Sequence, residues 1–571
     1  MKRPIQQLLG IGLLAAASLF AQPSKLSKDL ENLKPSDKVK VILQFKNQPN
    51  NGWTTRLNAL GGASQRTLPL VKGITLTLPV AALKALASDN DVFYITMDRK
   101  LKGSTVDHSP ATVGANIARD YGYTGTGIGV AVIDSGVKSA PDLEQAGNTQ
   151  SRIVYKENFV EGQTTTEDTY GHGTHVAGIV GSNGKSSSGP LALYTFRGIA
   201  PTVNIVSLRV LNEQGAGTDA GVIAAINRAI ALKTQYNIRV INLSLGRPVY
   251  ESYALDPLCQ AVKAAWDAGI VVVVAAGNRG RDNSFGTSGY GMIGSPGNSP
   301  YVITVGAMNT RSSPSKANDQ IATYSSKGPT PIDHIVKPDL VAPGNRVISD
   351  LSAGSTLIGQ FSNNAVNKLL YDPLASSSAY MRLSGTSMAA PMVSGSAALL
   401  LQKFPNLTPD QVKARLMRTA SKSFPRSSSI KDKVTGITYV VYYDLFTVGA
   451  GYLDVWAALN DTTVATGSAA SPTAIFNAST NTVSLVLGNN VIWGDTTNWP
   501  TNVIWGDAVV TGTNVIWGDN VIWGLAGTAG FNVLWGDNVL WGDNVLWGET
   551  AAMVTQALSI ISEGDPDEEI Y

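Results

Sequence analysis

Three short segments each set a chemically active side chain beside or near glycine. VAVIDSG is an apolar run that ends in Asp134, and GHGTHVAG holds His172 between two glycines. LSGTSMAAP places Ser387 at the start of an apolar helical stretch. A hydroxyl, an imidazole that takes its proton and a carboxylate that orients the imidazole are the groups of nucleophilic catalysis. This chemistry requires a fold that brings the three side chains together.

Each residue alone also fits a structural role. An aspartate after a strand commonly caps a turn, and a serine at a helix start commonly caps the helix. His172 and His175 are three residues apart and could both bind a metal, but no HExxH acid lies between them, so zinc chemistry is disfavoured. The glycines beside His172 indicate that another segment approaches the backbone there. A fourth segment, IVVVVAAGN, places the amide donor of Asn278 just beyond a buried strand.

The elements that must position these side chains alternate between apolar strands and amphipathic helices from residue 107 to about 459. The predicted strands cover residues 129–133, 205–210, 240–245, 270–275 and 302–305. The predicted helices cover residues 221–232 and 258–268. This alternation predicts an α/β fold with a mostly parallel sheet covered by helices on both faces. Asp134 then lies at a strand's carboxyl end, where open α/β sheets form their sites.

The order of Asp134, His172, Asn278 and Ser387 along the chain resembles that of the subtilases, in all four motifs and over residues 107–459. The resemblance implies a serine endopeptidase in which Ser387 is the nucleophile, His172 the general base and acid, and Asp134 the residue that orients the imidazole. It also implies that the Asn278 side chain and the Ser387 backbone N–H bind the oxyanion. No cofactor is implied for the chemistry.

The same resemblance places a substrate cleft. One wall would pair with the substrate backbone as an added strand, a second would line the S1 pocket, and a loop would form the opposite edge. The wall that pairs with the substrate would be Ser244, Leu245 and Gly246. The wall of the S1 pocket would be Ala275, Ala276 and Gly277, with Gly294 at the pocket base. The loop at the opposite edge would be Gly215, Ala216 and Gly217. The small pocket residues predict broad specificity with a preference for large apolar P1 residues. Arg279, near the expected rim, is compatible with an acidic P1 residue as well.

Calcium is an open expectation. Subtilisins commonly carry a calcium loop in the helix after the catalytic histidine, whereas here residues 181–197 (GSNGKSSSGPLALYTFR) are longer and lack carboxylates. Asp142 matches one calcium ligand of the family. Structural calcium at Asp142 would suit a secreted enzyme without disulfides.

Composition separates the chain into two parts. All 44 Lys and Arg lie in the first 433 residues beside 28 Asp and Glu, whereas the last 138 residues hold 14 Asp and Glu and no base. Basic residues do not cluster with aromatics along one stretch, so no nucleic-acid partner is expected. The single cysteine, Cys259, excludes an intrachain disulfide and is predicted to be a small buried residue of an amphipathic helix.

The N-terminal 21 residues are typical of a secretory signal peptide, with two basic residues, an apolar run and Ala21. No later run reaches 18 apolar residues, so no transmembrane anchor is expected. We therefore predict a secreted, extracellular protein and leave association with the cell surface open.

Residues 22–105 predict a small α+β unit. Its predicted strands cover residues 39–45, 74–78 and 92–96, and its predicted helix covers residues 81–87. The unit resembles the inhibitor-like propeptide of subtilases. That resemblance implies an intramolecular inhibitor that is cut away within residues 101–106.

The C-terminal part contains a six-residue repeat. The composition of residues 461–489 predicts a linker or a weak β segment before ten hexads at 490–549, seven of which are NVIWGD or a near copy. Trp fills the fourth position of eight hexads, and because six is even an extended chain places every such Trp on one face. We predict a stacked β structure with a Trp core, as a solenoid or a row of short hairpins. The functional alternative is an aromatic platform for polysaccharide or a cell-surface partner; residues 550–571 predict an acidic tail.

Three functions follow from these features. The first is an active secreted endopeptidase for protein or peptide substrates, made as a self-processing precursor with residues 106–460 as its peptidase domain. The second is a binding or adhesin protein that keeps the fold and works through the Trp repeats, although such a protein would not need all four motifs. The third is a maturation protease with one partner, which the open pocket disfavours.

Overall fold

The computed structural model describes residues 25–27, 30, 33–98, 107–284, 286–423, 425, 427–432, 435–477, 482–486, 514–517, 532–535 and 560–565. The predicted signal peptide, the cleavage window at 101–106 and most of the hexads lie outside these residues. The chain divides into two compact units, Met1–Thr105 and Val106–Tyr571.

In its described residues, the first unit contains a four-stranded antiparallel sheet and the helices α1 and α2. In chain order its elements are β1 Lys38–Phe45, α1 Asn51–Ala59, β2 Ala63–Leu68, β3 Gly73–Pro79, α2 Leu83–Ala87 and β4 Val92–Met97. The strand order is β2-β3-β1-β4. The three predicted strands are confirmed to within one residue at each end. Helix α1 and strand β2 were not predicted, because their polar sequences, NGWTTRLNA and ASQRTL, show no strong apolar periodicity.

The second unit holds the predicted parallel sheet. Its strands are β5 Gly129–Asp134, β6 Ile153–Asn158, β7 Asn204–Arg209, β8 Ile238–Leu243, β9 Val271–Ala275, β10 Ile303–Asn309, β11 Gln320–Ile321, β12 Leu340–Pro343, β13 Val347–Asp350, β14 Tyr380–Leu383, β15 Ser427–Lys431, β16 Thr438–Tyr442, β17 Thr473–Asn477, β18 Thr482–Val486, β19 Asn514–Trp517 and β20 Asn532–Trp535. Its helices are α3 Ser109–Thr112, α4 Ala115–Asp120, α5 His172–Gly181, α6 Asp219–Ala231, α7 Lys233–Tyr236, α8 Pro257–Asp267, α9 Thr356–Gln360, α10 Thr386–Lys403, α11 Pro409–Thr419, α12 Leu445–Val448 and α13 Val455–Asn460.

The main sheet has the order β11-β10-β9-β8-β5-β7-β6, with β12 also paired to β10. All its pairs are parallel except that between β10 and β11. The chain runs from β5 to β6 and β7 on one side of β5 and then to β8 on its other side. The direction in which strands are added to the sheet therefore reverses at β5. Such a point is where open α/β sheets form their sites.

Two helix pairs cover this sheet. Helix α10 packs on α5 and on β8, β9 and β10, and α6 packs on α8 and on β5. Helix α10 is buried along almost its whole length, as expected for an apolar helix in the centre of a domain. Cys259 is buried in α8, as predicted, and burial raises its pKa to about 12, so its thiol is inert. Among the described residues no helix is long and apolar enough to cross a membrane.

The segment after α13 agrees with the weak β segment that was one of the two expectations, because β17 and β18 pair antiparallel, and its first part also packs on the domain. Ala469 is fully buried, and Ser471 accepts a hydrogen bond from Lys413 Nζ at 2.8 Å. Residues up to 474 therefore continue the domain. Further along, β19 and β20 pair in parallel, with Asn514 opposite Asn532.

Candidate active site

Asp134 ends β5 and is fully buried. Its Oδ1 accepts the N–H of Ser135 at 2.7 Å, and its two oxygens lie 2.8 and 3.0 Å from Nδ1 of His172. Because a carboxylate accepts, Nδ1 carries the proton, and Nε2 of the neutral ring is an acceptor. The pair is therefore arranged as a base that acts through Nε2.

His172 begins α5, and two glycines allow this helix to start where it does. Gly171 has φ of +103°, and a Cβ there would collide with the side chain of Ser355. A Cβ at Gly173 would collide with the carbonyl oxygen of Gly136. The close approach predicted at His172 is thus confirmed on both sides.

Asp168 fixes the first turn of this helix and was not among the predicted site residues. Its Oδ1 accepts the N–H of Gly171 at 2.7 Å, and its Oδ2 accepts the N–H of Thr174 at 2.8 Å. An acid bonded to free N–H groups at a helix start is a typical cap, which its place four residues before His172 could have indicated. Asp168 therefore orients the segment that carries the imidazole.

The pKa of His172 reflects two opposing effects. Burial disfavours the charged ring, but the Asp134 charge and hydrogen bond, with a further contribution from Asp168, outweigh burial and raise the pKa above its ordinary value. His175 has no such partner, and burial together with the His172 charge lowers its pKa to about 3. His175 is therefore neutral, and its Nε2 lies 3.1 Å from the Val347 carbonyl oxygen, which indicates a structural role.

Ser387 is the second residue of α10, and it exchanges hydrogen bonds with Ser244. Its Oγ donates to the Ser244 carbonyl oxygen at 3.1 Å, and Ser244 Oγ donates to the Ser387 carbonyl oxygen at 2.8 Å. The second bond replaces a helical one, because Pro391 lacks the N–H that would otherwise bond to the Ser387 carbonyl. Asn242 Nδ2 donates to Ser244 Oγ at 2.9 Å and so directs the Ser244 proton toward Ser387.

Asn278 is held by the residue next to the serine. Its Oδ1 accepts both the N–H of Thr386, at 2.9 Å, and the Thr386 hydroxyl, at 3.1 Å. The amide nitrogen consequently faces Gly385, where a Cβ would come within 3.1 Å of it. Both N–H donors of this amide are without a protein acceptor among the described residues and are free to bind a ligand oxygen.

The sheet brings these groups to one edge. Val132 pairs with Asn242, and Asn242 pairs with Val273. Continuing this register sets Asp134 beside Ser244 on the next strand, with Asn278 just beyond the end of β9. Neighbouring strands are about 4.8 Å apart. The carboxyl ends of three consecutive strands therefore bring together Asp134, Asn278 and the Ser244 that is bonded to Ser387.

Two of the segments predicted to wall the cleft are joined to each other. Arg247 and Ser295 exchange backbone hydrogen bonds at 2.8 and 2.9 Å and so join the segment of Ser244, Leu245 and Gly246 to that of Gly294. A Cβ at Gly294 would come within 2.8 Å of the Arg247 carbonyl oxygen, so only glycine fits there.

The other predicted parts of the cleft also adopt defined positions. Ala275 and Ala276 are buried at the end of β9. The turn before Gly217 is closed by Asn212, whose Oδ1 accepts the N–H of Ala216 at 3.0 Å. The Arg279 guanidinium lies 3.3 Å from the Asp282 carboxylate, so its charge is already partnered.

The oxygens around Asp142 do not fit calcium, contrary to the expectation from sequence. The Arg152 guanidinium donates to four carbonyl oxygens, those of Asp142, Gly181, Val203 and Glu144, at 2.6–2.9 Å. The Asp142 carboxylate accepts the N–H of Ser186 at 2.5 Å and the hydroxyls of Tyr380 and Ser182. These oxygens are saturated by N–H and O–H donors, whereas calcium would need them as ligands.

Charge near Asp142 is balanced without a metal. Burial lowers the pKa of Arg152 to about 10, so the guanidinium is still charged at neutral pH. Burial and the neighbouring Asp142 charge raise the pKa of Asp350 well above its ordinary value, which disfavours a second negative charge beside Asp142. No group of three or more His, Cys, Asp or Glu that could hold a metal occurs in the described part of the chain.

Comparisons with known proteins agree with this geometry. The Subtilase family profile matches residues 125–437, more than half of the chain. Serine protease AprX of Bacillus subtilis (strain 168) is 38% identical over 353 residues, 60% of this chain and 72% of AprX. Subtilisin DY of Bacillus licheniformis is 34% identical over 56% of this chain and 92% of its own length. Subtilisin E of Bacillus subtilis (strain 168) is 33% identical over 68% of this chain and 87% of its own length.

These findings define the protein as a serine-type endopeptidase. The chain belongs to the subtilase family.

Proposed function

We propose that this chain is a secreted endopeptidase that hydrolyses peptide bonds through an acyl-enzyme on Ser387. The observation that carries the proposal is the buried pair of Asp134, at the end of β5, and His172, at the start of α5, together with the hydrogen bonds by which Ser244, after the neighbouring strand β8, holds Ser387. A structural cap would not need a buried carboxylate on Nδ1 of an imidazole. The four motifs also lie within the region that matches the family.

In the proposed reaction, His172 Nε2 takes the proton of Ser387 Oγ as this oxygen attacks the scissile carbonyl carbon. The Ser387 hydroxyl turns from the Ser244 carbonyl to Nε2 for this step. His172 then gives the proton to the leaving amine, and water repeats the sequence to release the acid. Asp134 holds the tautomer with the proton on Nδ1 and stabilises the imidazolium.

The carbonyl oxygen becomes an oxyanion during attack, and we propose that Asn278 Nδ2 and the Ser387 N–H bind it. The hydrogen bonds from Thr386 support this role, because they hold the amide oxygen away from the oxyanion and leave the nitrogen facing it. The Ser387 N–H lies in the first turn of α10, where the positive end of the helix dipole favours negative charge. Both donors are therefore oriented before the substrate binds.

Substrate specificity is proposed to be broad, with a preference for large apolar P1 residues. The S1 walls would be Ser244 to Gly246 and Ala275 to Gly277, with Gly294 at the base and Gly215 to Gly217 opposite. The small side chains support a roomy pocket. Pairing of Arg279 with Asp282 argues against a strong preference for acidic P1 residues.

The enzyme is proposed to be made as a precursor that processes itself. The boundary between the two compact units, at Thr105 and Val106, falls within the predicted cleavage window of 101–106 and supports a separable propeptide. The first unit would inhibit its own protease until it is cut away. The signal-like N-terminus supports secretion.

For the repeats, we propose a solenoid rather than a row of hairpins. The support is the parallel pairing of β19 with β20 in register, because hairpins pair their strands antiparallel. A polysaccharide or cell-surface partner for the repeats stays a prediction.

The function is tested with casein hydrolysis and intact-mass analysis of the wild type, Ser387→Ala and the exposed control Ser188→Ala. We expect the wild type and the control to cut casein and to lose the residues before about 101–106. Ser387→Ala should stay uncut and inactive. Processing of Ser387→Ala at the wild-type rate in the absence of other proteases would contradict the proposal.

A further inference from the structure

Residues 560–565, near the C-terminal end of the chain, lie on the peptidase domain; we call them the docking segment. Ile560 is 2% exposed and Asp565 is fully buried, although more than 80 residues separate them from β17 along the chain. The sequence pattern predicted an acidic tail here. The contacts of the segment are instead those of a core element.

Asp565 makes the strongest of these contacts. Its Oδ1 lies 2.7 Å from Arg281 Nη2, and its Oδ2 accepts the N–H of Thr323 at 2.7 Å. The Asp565 N–H donates to Asn345 Oδ1 at 2.7 Å, and Asn345 Nδ2 donates to the Asp565 carbonyl oxygen at 3.0 Å. Since Arg281 and Asp565 are almost fully buried, this charge-assisted pair is shielded from water.

The same segment holds the loop that leads to Ser387. The N–H of Ser384 donates to the Ile561 carbonyl oxygen at 2.9 Å. Gly385 donates to the carbonyl oxygen of Gly344, the neighbour of the Asn345 that Asp565 binds. The two residues that begin the turn into α10 are thus fixed by the docking segment, one directly and one through its neighbour.

Gly564 packs closely against Asn345 and Ser384 of the peptidase domain. Its φ is +62°, and a Cβ would collide with Asn345 Oδ1 and Ser384 Oγ. A side chain at this position would lift the docking segment off the Ser384 loop. The segment is therefore matched to this surface in shape as well as in charge.

The other flank of the repeats is attached to the same domain. Val336 donates to the Pro472 carbonyl oxygen at 2.8 Å, and Ala474 donates to the His334 carbonyl oxygen at 2.9 Å. Both flanks of the hexads are therefore bound to the peptidase domain.

We propose that the docking segment completes the support of the nucleophile loop and that Asp565 is a positioning residue for Ser387. It acts through Asn345, Ser384 and Gly385, and it makes full activity depend on the C-terminal end of the chain. Cleavage that removed the repeats together with residues 560–565 would lower activity, whereas cleavage that kept the segment bound would not. The inference rests on the proposed role of Ser387.

The test uses the full-length chain with Asp565→Ala, Asp565→Asn and Gly564→Ala, and with Glu563→Ala as a control. Glu563 is exposed in the same segment, so its replacement removes an acid without disturbing the contact. Ser387 is titrated with a serine-directed fluorophosphonate, and kcat and KM are measured per titrated site. Hydrogen exchange of residues 380–390 is followed in parallel, because it reports the Ser384 N–H without requiring activity.

We expect Asp565→Ala and Gly564→Ala to lower kcat about tenfold or more, since small misplacements of a reacting group have large effects, while KM changes less than about twofold. Exchange over 380–390 should accelerate in both, and Asp565→Asn should fall between them and the wild type. Wild-type kcat per titrated site and wild-type exchange in these variants would overturn the proposal. If Asp565→Ala does not fold, Asp565→Asn and Gly564→Ala decide by the same criteria.

Failure of the proposed function has a different signature. A folded wild type that the fluorophosphonate does not label would contradict the role of Ser387. The exchange measurement would still decide whether the docking segment holds the Ser384 loop.

Discussion

Ser387 and Ser244 are joined by two reciprocal hydrogen bonds, each between the hydroxyl of one residue and the carbonyl oxygen of the other. Pro391 makes the second bond necessary, because it removes the helical donor for the Ser387 carbonyl. Ser387 is therefore fixed to the end of β8, beside the strand that ends in Asp134.

This relationship predicts the effect of Ser244→Ala. The Ser387 carbonyl would be left without a donor, and an unsatisfied buried group destabilises a protein by about 1–3 kcal/mol. We expect that loss in denaturant unfolding, measured in a Ser387→Ala background so that autolysis does not interfere. Ser188→Ala, at an exposed serine, should leave the free energy of unfolding unchanged. Equal stability of the two variants would contradict the account.

The pH dependence follows from the raised pKa of His172. Only the neutral ring accepts the serine proton, so kcat/KM should rise as pH increases through the His172 pKa, and the acid limb should lie above the ordinary histidine value of about 6.5. Asp134→Asn removes the two largest effects that raise this pKa and leaves burial, which lowers it, opposed only by the smaller contribution of Asp168. The acid limb should then move to lower pH, and kcat should fall by about 10⁴.

A pH–rate profile on titrated enzyme checks both parts. Asp267→Asn, which alters an exposed carboxylate paired with Lys263, is the matched control and should keep the wild-type limb. An acid limb that stays in place in Asp134→Asn would mean that another group controls the rate.

Asn278→Ala tests the oxyanion site. Removal of one preorganised donor lowers kcat by about 10²–10³, and KM should change little because the donor acts on charge that develops in the transition state. Steady-state kinetics with a fluorogenic peptide measure the two constants separately. The exposed Asn148→Ala should behave as wild type, and a rise in KM at constant kcat in Asn278→Ala would assign Asn278 to ground-state binding instead.

The hydrogen bonds of Arg152 predict how the region around Asp142 responds to calcium. Arg152→Ala leaves four carbonyl oxygens without this donor and removes the cation near Asp142, and loss of one partner of a buried charged pair destabilises by about 3–5 kcal/mol. Lys185→Ala breaks the more exposed Lys185–Glu144 pair nearby and should have an effect below about 1 kcal/mol. Thermal unfolding in chelator and in excess calcium measures both. Restoration of Arg152→Ala by calcium would show that these oxygens can serve as a calcium site.

The sequence predicted those parts of the site whose signals are local. Asp134 ends a continuous apolar strand, Asn278 follows another, and glycines flank His172, so each was a candidate from its neighbours, while the order of the four motifs indicated their roles. The main strands of the sheet were predicted because their apolar runs are short and are bounded by glycine or polar residues.

Other parts depend on residues that are distant in the chain and carry no periodic signal. Arg152 donates a hydrogen bond to the Val203 carbonyl oxygen, and Arg281 donates one to Asp565, which is 284 residues away along the chain. Nothing in the local sequence of an acidic C-terminal segment distinguishes a buried ion pair from a solvated tail. Those contacts exist only after the sheet and its loops have assembled.

The most direct measurement is labelling of the folded protein with a fluorophosphonate, followed by peptide mass analysis. The account predicts one adduct per chain, on Ser387. In His172→Ala, labelling should be at least about a thousandfold slower, on the order of the loss seen when a catalytic triad is broken. An adduct on another serine, or equal labelling rates in the wild type and His172→Ala, would contradict the assignment of Ser387 as a nucleophile activated by His172.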